Sequence, residues 1–281
     1  MEQQRTETRS ITAEQQKRVE EICFHALALI GRNCEYLEQH FDRTGADEPA
    51  RQAVADISTA AMQLDRTLSG AMTLLDFLRE DTKPQLYPID LCELLQQVAA
   101  QSDMIRAQLG VDIRLDYGGG TPRRGMAERD CSDAELLCLH LLSNALRASR
   151  EGGSVCIALR RTESGWQLTV TDDGCGLPGE DAQAALENRR SFLGGAQLGL
   201  LLCRECCRRM DWNLQLEPAP GKGTQAVVSI PLYAGETRPD GTVELRTDTE
   251  TEQAQRRYHL RAMLVREMRT MPERGDPEED L

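Results

Sequence analysis

The N-terminal part of the chain has the period of an amphipathic helix. Apolar residues recur mostly at spacings of three and four in two stretches, one from residue 11 to about 41 and one from about 48 to 79. A break at Gly45 and Pro49 separates the two stretches. The first apolar stripe consists of Val19, Ile22, Cys23, Ala26, Ile30, Leu37 and Phe41. The pattern predicts a helical hairpin over residues 11–81.

Two long antiparallel helices bury only one side of each helix against the other. We expect the remaining apolar surface of the hairpin to pack against a second copy of the chain, which completes a four-helix bundle and makes the protein a homodimer. The alternative is that the hairpin packs on the remainder of its own chain. Residues 82–90 are polar and contain Pro84 and Pro88, so they are predicted to be a linker.

From residue 91 onwards helical periods mix with strands of alternating apolar and polar residues. Helices are predicted at 91–101, 133–149, 181–188 and 198–210. Strands are predicted at 111–117, 154–160, 166–171, 212–216 and 224–232. Together with the hairpin, these elements predict an α+β protein whose second domain, residues 91–233, is a two-layer sandwich of a mixed sheet and helices.

Two stretches of this second domain carry residues suited to bind a nucleotide. The predicted helix over residues 139–149 presents Asn144, a neutral oxygen ligand that Mg²⁺ accepts, and Arg147, a planar donor for phosphate. The strand end at residues 171–178 presents Asp172, which can accept a hydrogen bond from an exocyclic amine such as that of adenine. Gly174 and Gly176 follow it and let the backbone approach a base closely.

These two stretches resemble the N box and first glycine box of the histidine-kinase-like ATPases. Residues 194–200 (GGAQLGL) resemble the second glycine box of that family, and residues 221–224 (GKGT) resemble its closing glycine turn. Four elements in the same order make the resemblance specific. It implies that ATP and Mg²⁺ are the cofactors, with Asn144 at the metal. The nucleotide-binding residues would be Asn144, Arg147, Asp172, Gly174, Gly176, Gly195, Leu198, Gly199, Gly223 and Thr224.

The order of hairpin, linker and ATP-binding domain resembles the catalytic core of a sensor histidine kinase, over about residues 12–233. The resemblance implies that a histidine of the first hairpin helix attacks the γ-phosphate and that a response regulator then receives the phosphoryl group. Of the four histidines, His25 lies at the corresponding position, in the middle of the first helix. It is therefore the predicted phosphoacceptor, and its imidazole is a suitable nucleophile near neutral pH.

This chain departs from the family pattern at several positions. The residue after His25 is Ala26, where the family usually has an acid that activates the imidazole. In the pocket, His140, Gln197 and Ala148 stand where the family often has asparagine, glycine and an aromatic residue. The plainer interpretation of His25 is a helix-surface histidine without chemistry.

Two functions are therefore consistent with the sequence. The first is a histidine protein kinase of a two-component system that autophosphorylates His25. The alternative is a catalytically degenerate scaffold that binds ATP and a regulatory protein without phosphotransfer. A serine kinase of the anti-sigma type shares the ATP fold, but that class lacks the upstream hairpin.

Composition and charge indicate which partners and which cellular compartment to expect. The formal net charge of −13 argues against binding to nucleic acid, which requires basic surface. No apolar run approaches the roughly 20 residues of a membrane span, and the polar start lacks a signal peptide, so a cytoplasmic protein with reduced cysteines is expected. Cys203, Cys206 and Cys207 are expected to be buried thiols, with a metal site as the alternative. Residues 234–281 are predicted to be an acidic linker and a docking helix.

Overall fold

The computed structural model describes residues 13–79, 87–118, 126–129, 131–149, 151–174, 176, 197–219, 223–233 and 264. The chain forms two compact units, Met1–Thr73 and Leu74–Leu281. The first unit is helical, and the second contains a mixed sheet with helices. The predicted α+β fold class is confirmed.

The first unit is the predicted hairpin. Helix α1 spans Ala13–Thr44 and helix α2 spans Glu48–Phe77, so the last turn of α2 belongs to the second unit. Gly45 stands at the turn with a φ of 73°, a conformation that favours glycine. The Oδ1 atom of Asp47 accepts a hydrogen bond from the backbone N–H of Ala50 at 3.3 Å, which caps the start of α2.

Few apolar side chains are buried within the hairpin itself. Leu27 and Cys34 of α1 and Val54 of α2 are buried, together with Gly70. Large apolar residues of the same unit remain exposed, among them Val19, Ile22, Leu29, Ile30, Leu37, Ile57 and Leu64. No residue of the predicted stripe is buried: Cys23 and Phe41 are half-buried and the other five are exposed, whereas the buried Leu27 and Cys34 lie outside that stripe.

The second unit is built on a five-stranded sheet. Its elements are β1 (Tyr87–Asp90), α3 (Leu91–Leu109), β2 (Asp112–Asp116), β3 (Met126–Arg129), α4 (Cys131–Ala148), β4 (Ser154–Arg161), β5 (Gly165–Asp172), α5 (Gln197–Arg209), β6 (Asn213–Pro218) and β7 (Thr224–Pro231). The strand order is β2-β4-β5-β7-β6, with β2 and β4 parallel and the other neighbours antiparallel. The sheet is mixed, as predicted.

A second, two-stranded sheet was not predicted. Strand β1 pairs antiparallel with β3, from Tyr87 opposite Arg129 to Asp90 opposite Met126. Residues 87–90 were assigned to the linker and residues 126–129 to a connection, so both assignments need correction to strands. Helix α3 also extends beyond its predicted end at residue 101 to Leu109. The predicted helix at 181–188 lies outside the described residues.

The sheet and helices α3, α4 and α5 share one hydrophobic core. Fully buried side chains come from α4, from the central strands and from a residue far along the chain: Leu137, Leu142, Leu146, Val155, Leu159, Leu168, Val228 and Leu264. Between α4 and α5, Arg209 donates to Asp133 at 2.7 Å with both side chains more than nine-tenths buried. The predicted burial of Cys203, Cys206 and Cys207 is confirmed. No helix among the described residues is long and apolar enough to cross a membrane.

Candidate nucleotide-binding site

Asp172 stands at the end of β5 and joins the two strands that border the site. Its Oδ1 atom accepts hydrogen bonds from the backbone N–H groups of Gly174, at 3.0 Å, and of Thr224, at 3.2 Å. The side chain is fixed by its own turn and by the first residue of β7. Since both bonds end on Oδ1, the carboxylate presents Oδ2 to a further donor such as an exocyclic amine.

The electrostatic setting of Asp172 favours a ligand that donates a hydrogen bond. The residue is 6% exposed. Burial raises the pKa of its carboxyl above the ordinary value, and the neighbouring Asp173 adds to the rise, while the hydrogen bonds from Gly174 and Thr224 oppose it. A desolvated carboxylate gains more from an added donor than an exposed one does.

Glycines allow three chain segments to meet beside Asp172. A Cβ atom on Gly174 would lie 2.0 Å from the carbonyl oxygen of Ala148, at the end of α4. A Cβ atom on Gly223, whose φ is 107°, would lie 2.1 Å from the carbonyl oxygen of Asp172. Gly176 has a φ of 77° and faces Gly223. The approaches at Gly174 and Gly223 require glycine, since any side chain there would force the segments apart, whereas Gly176 is favoured by its positive φ alone.

A second group of residues forms where α4 meets the start of α5. A Cβ atom on Gly199 would lie 3.2 Å from Oδ1 of Asn144 and 3.6 Å from Nδ1 of His140. The Nδ2 atom of Asn144 is buried and has no hydrogen-bond partner among the described residues. A buried amide nitrogen without a partner is costly, and a ligand oxygen beside it would remove that cost.

The arrangement suits a nucleotide with its metal ion. Asn144 offers an amide oxygen, which is a ligand that Mg²⁺ accepts, and the unpartnered amide nitrogen can donate to a phosphate. The first residues of α5 lie next to Asn144, and the free N–H groups at a helix start favour an anion. Arg147 is half-buried one turn further along α4. The donor set therefore fits a triphosphate–metal complex.

The structure brings most of the predicted site residues into these two groups. Asp172, Gly174, Gly176, Gly223 and Thr224 form the first, and Asn144 with Gly199 forms the second. The end of α4 connects them through Ala148 and Gly174.

The other predicted residues stand apart from these contacts. Leu198 is half-buried at the start of α5, and Gly195 lies outside the described residues. His25 is exposed on α1, in the other compact unit. His140, which the motif comparison assigned to the pocket, lies beside Gly199, and its spacing of four from Asn144 places both side chains on one helix face.

Residues 130–234 match the family of histidine kinase-, DNA gyrase B-, and HSP90-like ATPases. The second unit of the chain thus contains a histidine-kinase-like ATPase domain and belongs to that family. The resemblance inferred from the four motifs is confirmed.

Two curated relatives with similar sequences are a sensor protein and a sensor histidine kinase. The alginate biosynthesis sensor protein KinB of Pseudomonas aeruginosa is 30% identical over 199 residues, which is 68% of this chain and 33% of KinB. The sensor histidine kinase TmoS of Ectopseudomonas mendocina is 27% identical over 205 residues, 69% of this chain and 20% of TmoS. The match therefore spans a third or less of either relative.

Two solved structures share the fold over most of the chain. Full-length ShkA in complex with AMPPNP has a TM-score of 0.58 at 20% identity, covering 79% of this chain and 46% of ShkA. Histidine kinase ThkA in complex with the response regulator protein TrrA has a TM-score of 0.56 at 17% identity, covering 79% of this chain and 62% of that one. At these identities the similarity concerns the fold alone.

Proposed function

We propose that this protein is an ATP-dependent histidine kinase of a two-component signalling system. It autophosphorylates His25 and passes the phosphoryl group to a response regulator. The observation that carries the proposal is the site built by Asp172, Asn144 and Gly199 within a histidine-kinase-like ATPase domain. Its attachment to a helical hairpin with an exposed central histidine supplies the acceptor.

ATP is the proposed nucleotide because Asp172 offers a carboxylate oxygen to the adenine amine. The backbone donors of Gly174 and Thr224 hold the opposite oxygen, so the carboxylate is oriented before the base arrives. Guanine has a carbonyl oxygen where adenine has the amine and would face the carboxylate with a second acceptor. Adenine selectivity follows from that mismatch.

The phosphate end of the nucleotide is assigned to Asn144 and Arg147. Asn144 would contribute an oxygen to the Mg²⁺ that accompanies the triphosphate, and the guanidinium of Arg147 would pair with a phosphate. When bound, Mg²⁺ neutralises charge that develops on the phosphate oxygens. The start of α5, at Leu198 and Gly199, would place backbone N–H groups at the same anion.

The proposed transfer forms a bond between an imidazole nitrogen of His25 and the γ-phosphorus. The bond from that phosphorus to the bridging oxygen breaks, ADP leaves with the electron pair, and the imidazole proton passes to solvent. His25 is exposed on α1, which gives the proton a direct route to water. A response regulator carboxylate would then accept the phosphoryl group, and the setting of both steps is proposed to be the cytoplasm.

The proposed assembly is a homodimer through the hairpin. The apolar side chains of Ile22, Ile57 and Leu64 are 62%, 52% and 57% exposed within one chain. Exposed apolar surface of this kind is typical of an interface between chains. Replacing all three by glutamate should lower the molar mass in light scattering from that of a dimer to that of a monomer. A monomeric wild-type protein would contradict the assembly.

A second candidate function rests on Ala26. No acid follows His25 in the sequence, so a general base for phosphotransfer is missing at the position where the family usually has one. A chain that binds ATP but transfers nothing would act as a scaffold for a regulatory protein. The two functions share the nucleotide site and differ only at His25.

The deciding experiment is incubation with γ-labelled ATP and Mg²⁺. The kinase predicts label on the wild-type protein that is labile in acid and stable in alkali, and no label on His25→Gln. The matched control is His40→Gln, an exposed histidine further along the same helix, which should label like the wild type. Absence of wild-type label with ATP still bound would support the scaffold.

The pocket assignment has its own test by equilibrium binding. Asn144→Ala should remove the Mg²⁺-dependent part of ATP binding, because the protein then lacks its oxygen ligand. Asp172→Ala should bring the affinities for ATP and GTP to similar values. Unchanged ATP binding in both variants would contradict the assignment of these residues to the nucleotide site.

A further inference from the structure

Leu264 is a buried residue that lies well beyond the part of the chain that matches the ATPase family. The match ends at residue 234. Leu264 is helical and 1% exposed, and it belongs to the core cluster that the sheet shares with helices α3, α4 and α5. A fully buried core residue contacts about 6–12 others, so the chain around Leu264 has to be held against the ATPase domain.

The sequence around Leu264 has the pattern of an amphipathic helix. We call residues 254–271 the C-terminal segment. Its apolar residues recur at spacings of three and four and form a stripe that consists of Leu260, Met263, Leu264 and Met268. Because Leu264 lies in the middle of the stripe, its burial predicts that the other three residues face the same domain.

The C-terminal segment also differs in charge from the rest of the chain. It contains five arginines and one acidic residue, Glu267, whereas the whole chain has a formal net charge of −13. The remainder of the chain is therefore even more acidic than the total, and it attracts a basic segment. An anionic membrane would attract the same segment, but Leu264, in the middle of the stripe that would enter the lipid, is already buried in protein.

We propose that the C-terminal segment docks as a helix on the ATPase domain of its own chain, with its apolar stripe against the core. The domain then has an intramolecular interaction surface whose occupant is residues 254–271. Residues 234–253 would act as a tether that keeps the segment at a high local concentration. The inference does not depend on nucleotide binding or on phosphotransfer at His25.

The primary test is hydrogen–deuterium exchange of the full chain, followed by mass spectrometry of peptides from residues 254–271. Backbone amides of a docked helix should exchange at least about a hundredfold more slowly than those of the isolated peptide of the same sequence, because exchange requires the helix to open. Exchange at the rate of the isolated peptide would overturn the proposal.

Substitution of Leu264 tests the contact itself. Leu264→Asp should abolish the slow exchange of the segment, because a carboxylate is not stable in an apolar core without a partner. The matched control is Leu232→Asp, at a leucine that is 36% exposed, and it should keep the slow exchange. If Leu264→Asp prevents folding of the whole domain, Leu264→Ala is the second variant and should speed exchange of the segment at least about tenfold. Exchange as slow as in the wild type in both Leu264 variants would contradict the proposal.

A peptide-binding experiment reports whether the surface is occupied. A fluorescent peptide of residues 254–271 should bind to the full-length Leu264→Asp variant, whose own segment no longer docks. It should bind to the wild type about a hundredfold more weakly, because the tethered segment competes for the surface. Equal binding to the two proteins would overturn docking within the chain.

Two further measurements test the other possible occupants. The variant with glutamate at Ile22, Ile57 and Leu64, which is expected to be monomeric, should keep the slow exchange of the segment. Loss of slow exchange in that variant would mean that a second copy of the chain takes part, and would overturn docking within one chain. Vesicles of phosphatidylserine and phosphatidylcholine should not sediment the wild-type protein. Sedimentation with the vesicles, together with fast exchange of the free protein, would assign the segment to an anionic lipid surface instead.

Discussion

The hairpin and the ATPase domain use apolar residues in different ways. In the hairpin, Leu27, Cys34 and Val54 are buried, whereas Ile22, Ile57 and other large apolar side chains are at least one-third exposed. In the ATPase domain, helices α3 to α5 and the sheet bury a continuous core. The same helical period in the sequence thus accompanies a complete core in the ATPase domain and an incomplete one in the hairpin.

The two regions obtain their stability from different sources. The ATPase domain removes its apolar surface from water within one chain, so its stability should not depend on protein concentration. The hairpin leaves much of its apolar surface exposed, so a partner surface is expected to add to its stability increasingly as the protein concentration rises. The stability of variants in the ATPase domain can therefore be measured at one protein concentration, whereas variants in the hairpin have to be measured over a range of concentrations.

The largest effect is expected for Gly223→Ala in the ATPase domain. The new Cβ would lie 2.1 Å from the backbone oxygen of Asp172 at a φ of 107°, so two chain segments must separate. We expect a loss of more than about 4 kcal/mol in the free energy of unfolding. The measurement is denaturant unfolding followed by far-ultraviolet circular dichroism.

Gly152→Ala is the matched control for that substitution. Its φ of 76° is also positive, but no atom lies within 4 Å of the added Cβ. Only the backbone strain remains, which costs about 1–2 kcal/mol. Equal losses in the two variants would show that the close contact between Gly223 and Asp172 is unimportant.

The next prediction compares the loss of stability from one substitution in the ATPase domain with that from one in the hairpin. Leu142→Ala, at a position that is 0% exposed in the core, should cost about 2–5 kcal/mol at any protein concentration. Ile57→Ala, at 52% exposure on the hairpin, should cost less than about 0.5 kcal/mol in dilute protein. Thermal unfolding over a range of protein concentrations measures both.

We expect the loss of stability caused by Ile57→Ala to depend on protein concentration, and the loss caused by Leu142→Ala not to depend on it. A large loss for Ile57→Ala in monomeric protein would mean that the hairpin forms a core of its own after all.

The smallest effect is expected for Gly31→Ala in the middle of α1. No atom lies within 4 Å of the added Cβ, and the backbone is helical, so the substitution should stabilise the hairpin by about 0.5–1 kcal/mol. Gly45→Ala has the same open space but a φ of 73°, and should destabilise instead. Destabilisation by Gly31→Ala would indicate that a second chain packs closely against this glycine.

Regular periodicity made most of the fold predictable from the sequence. The two long helices of the hairpin and the strands of the main sheet follow from apolar spacing. Strands β1 and β3 were missed because each has four residues, with Pro88 in one and charged residues in the other. Their pairing joins residues about forty positions apart, which local patterns do not encode.

The candidate site was predictable by residue type but not by contact. The four motifs predicted that Asp172, Asn144 and the glycines belong to one nucleotide site. The sequence does not show that Thr224 donates to Asp172, or that Gly174 abuts Ala148, because these contacts depend on how the sheet and α4 come together. The position of His140 next to Gly199 arises in the same way.

Leu264 gives the ATPase domain a boundary different from that of its family match. The match ends at residue 234, yet this leucine is 1% exposed and belongs to the domain's core cluster. A segment that removes water from the core is part of the folding unit, wherever family resemblance stops. The piece that recombination or gene fusion would have to move intact is therefore larger than the stretch that matches the family, and a transplanted module ending at residue 234 would lack the side chain of Leu264 in its core.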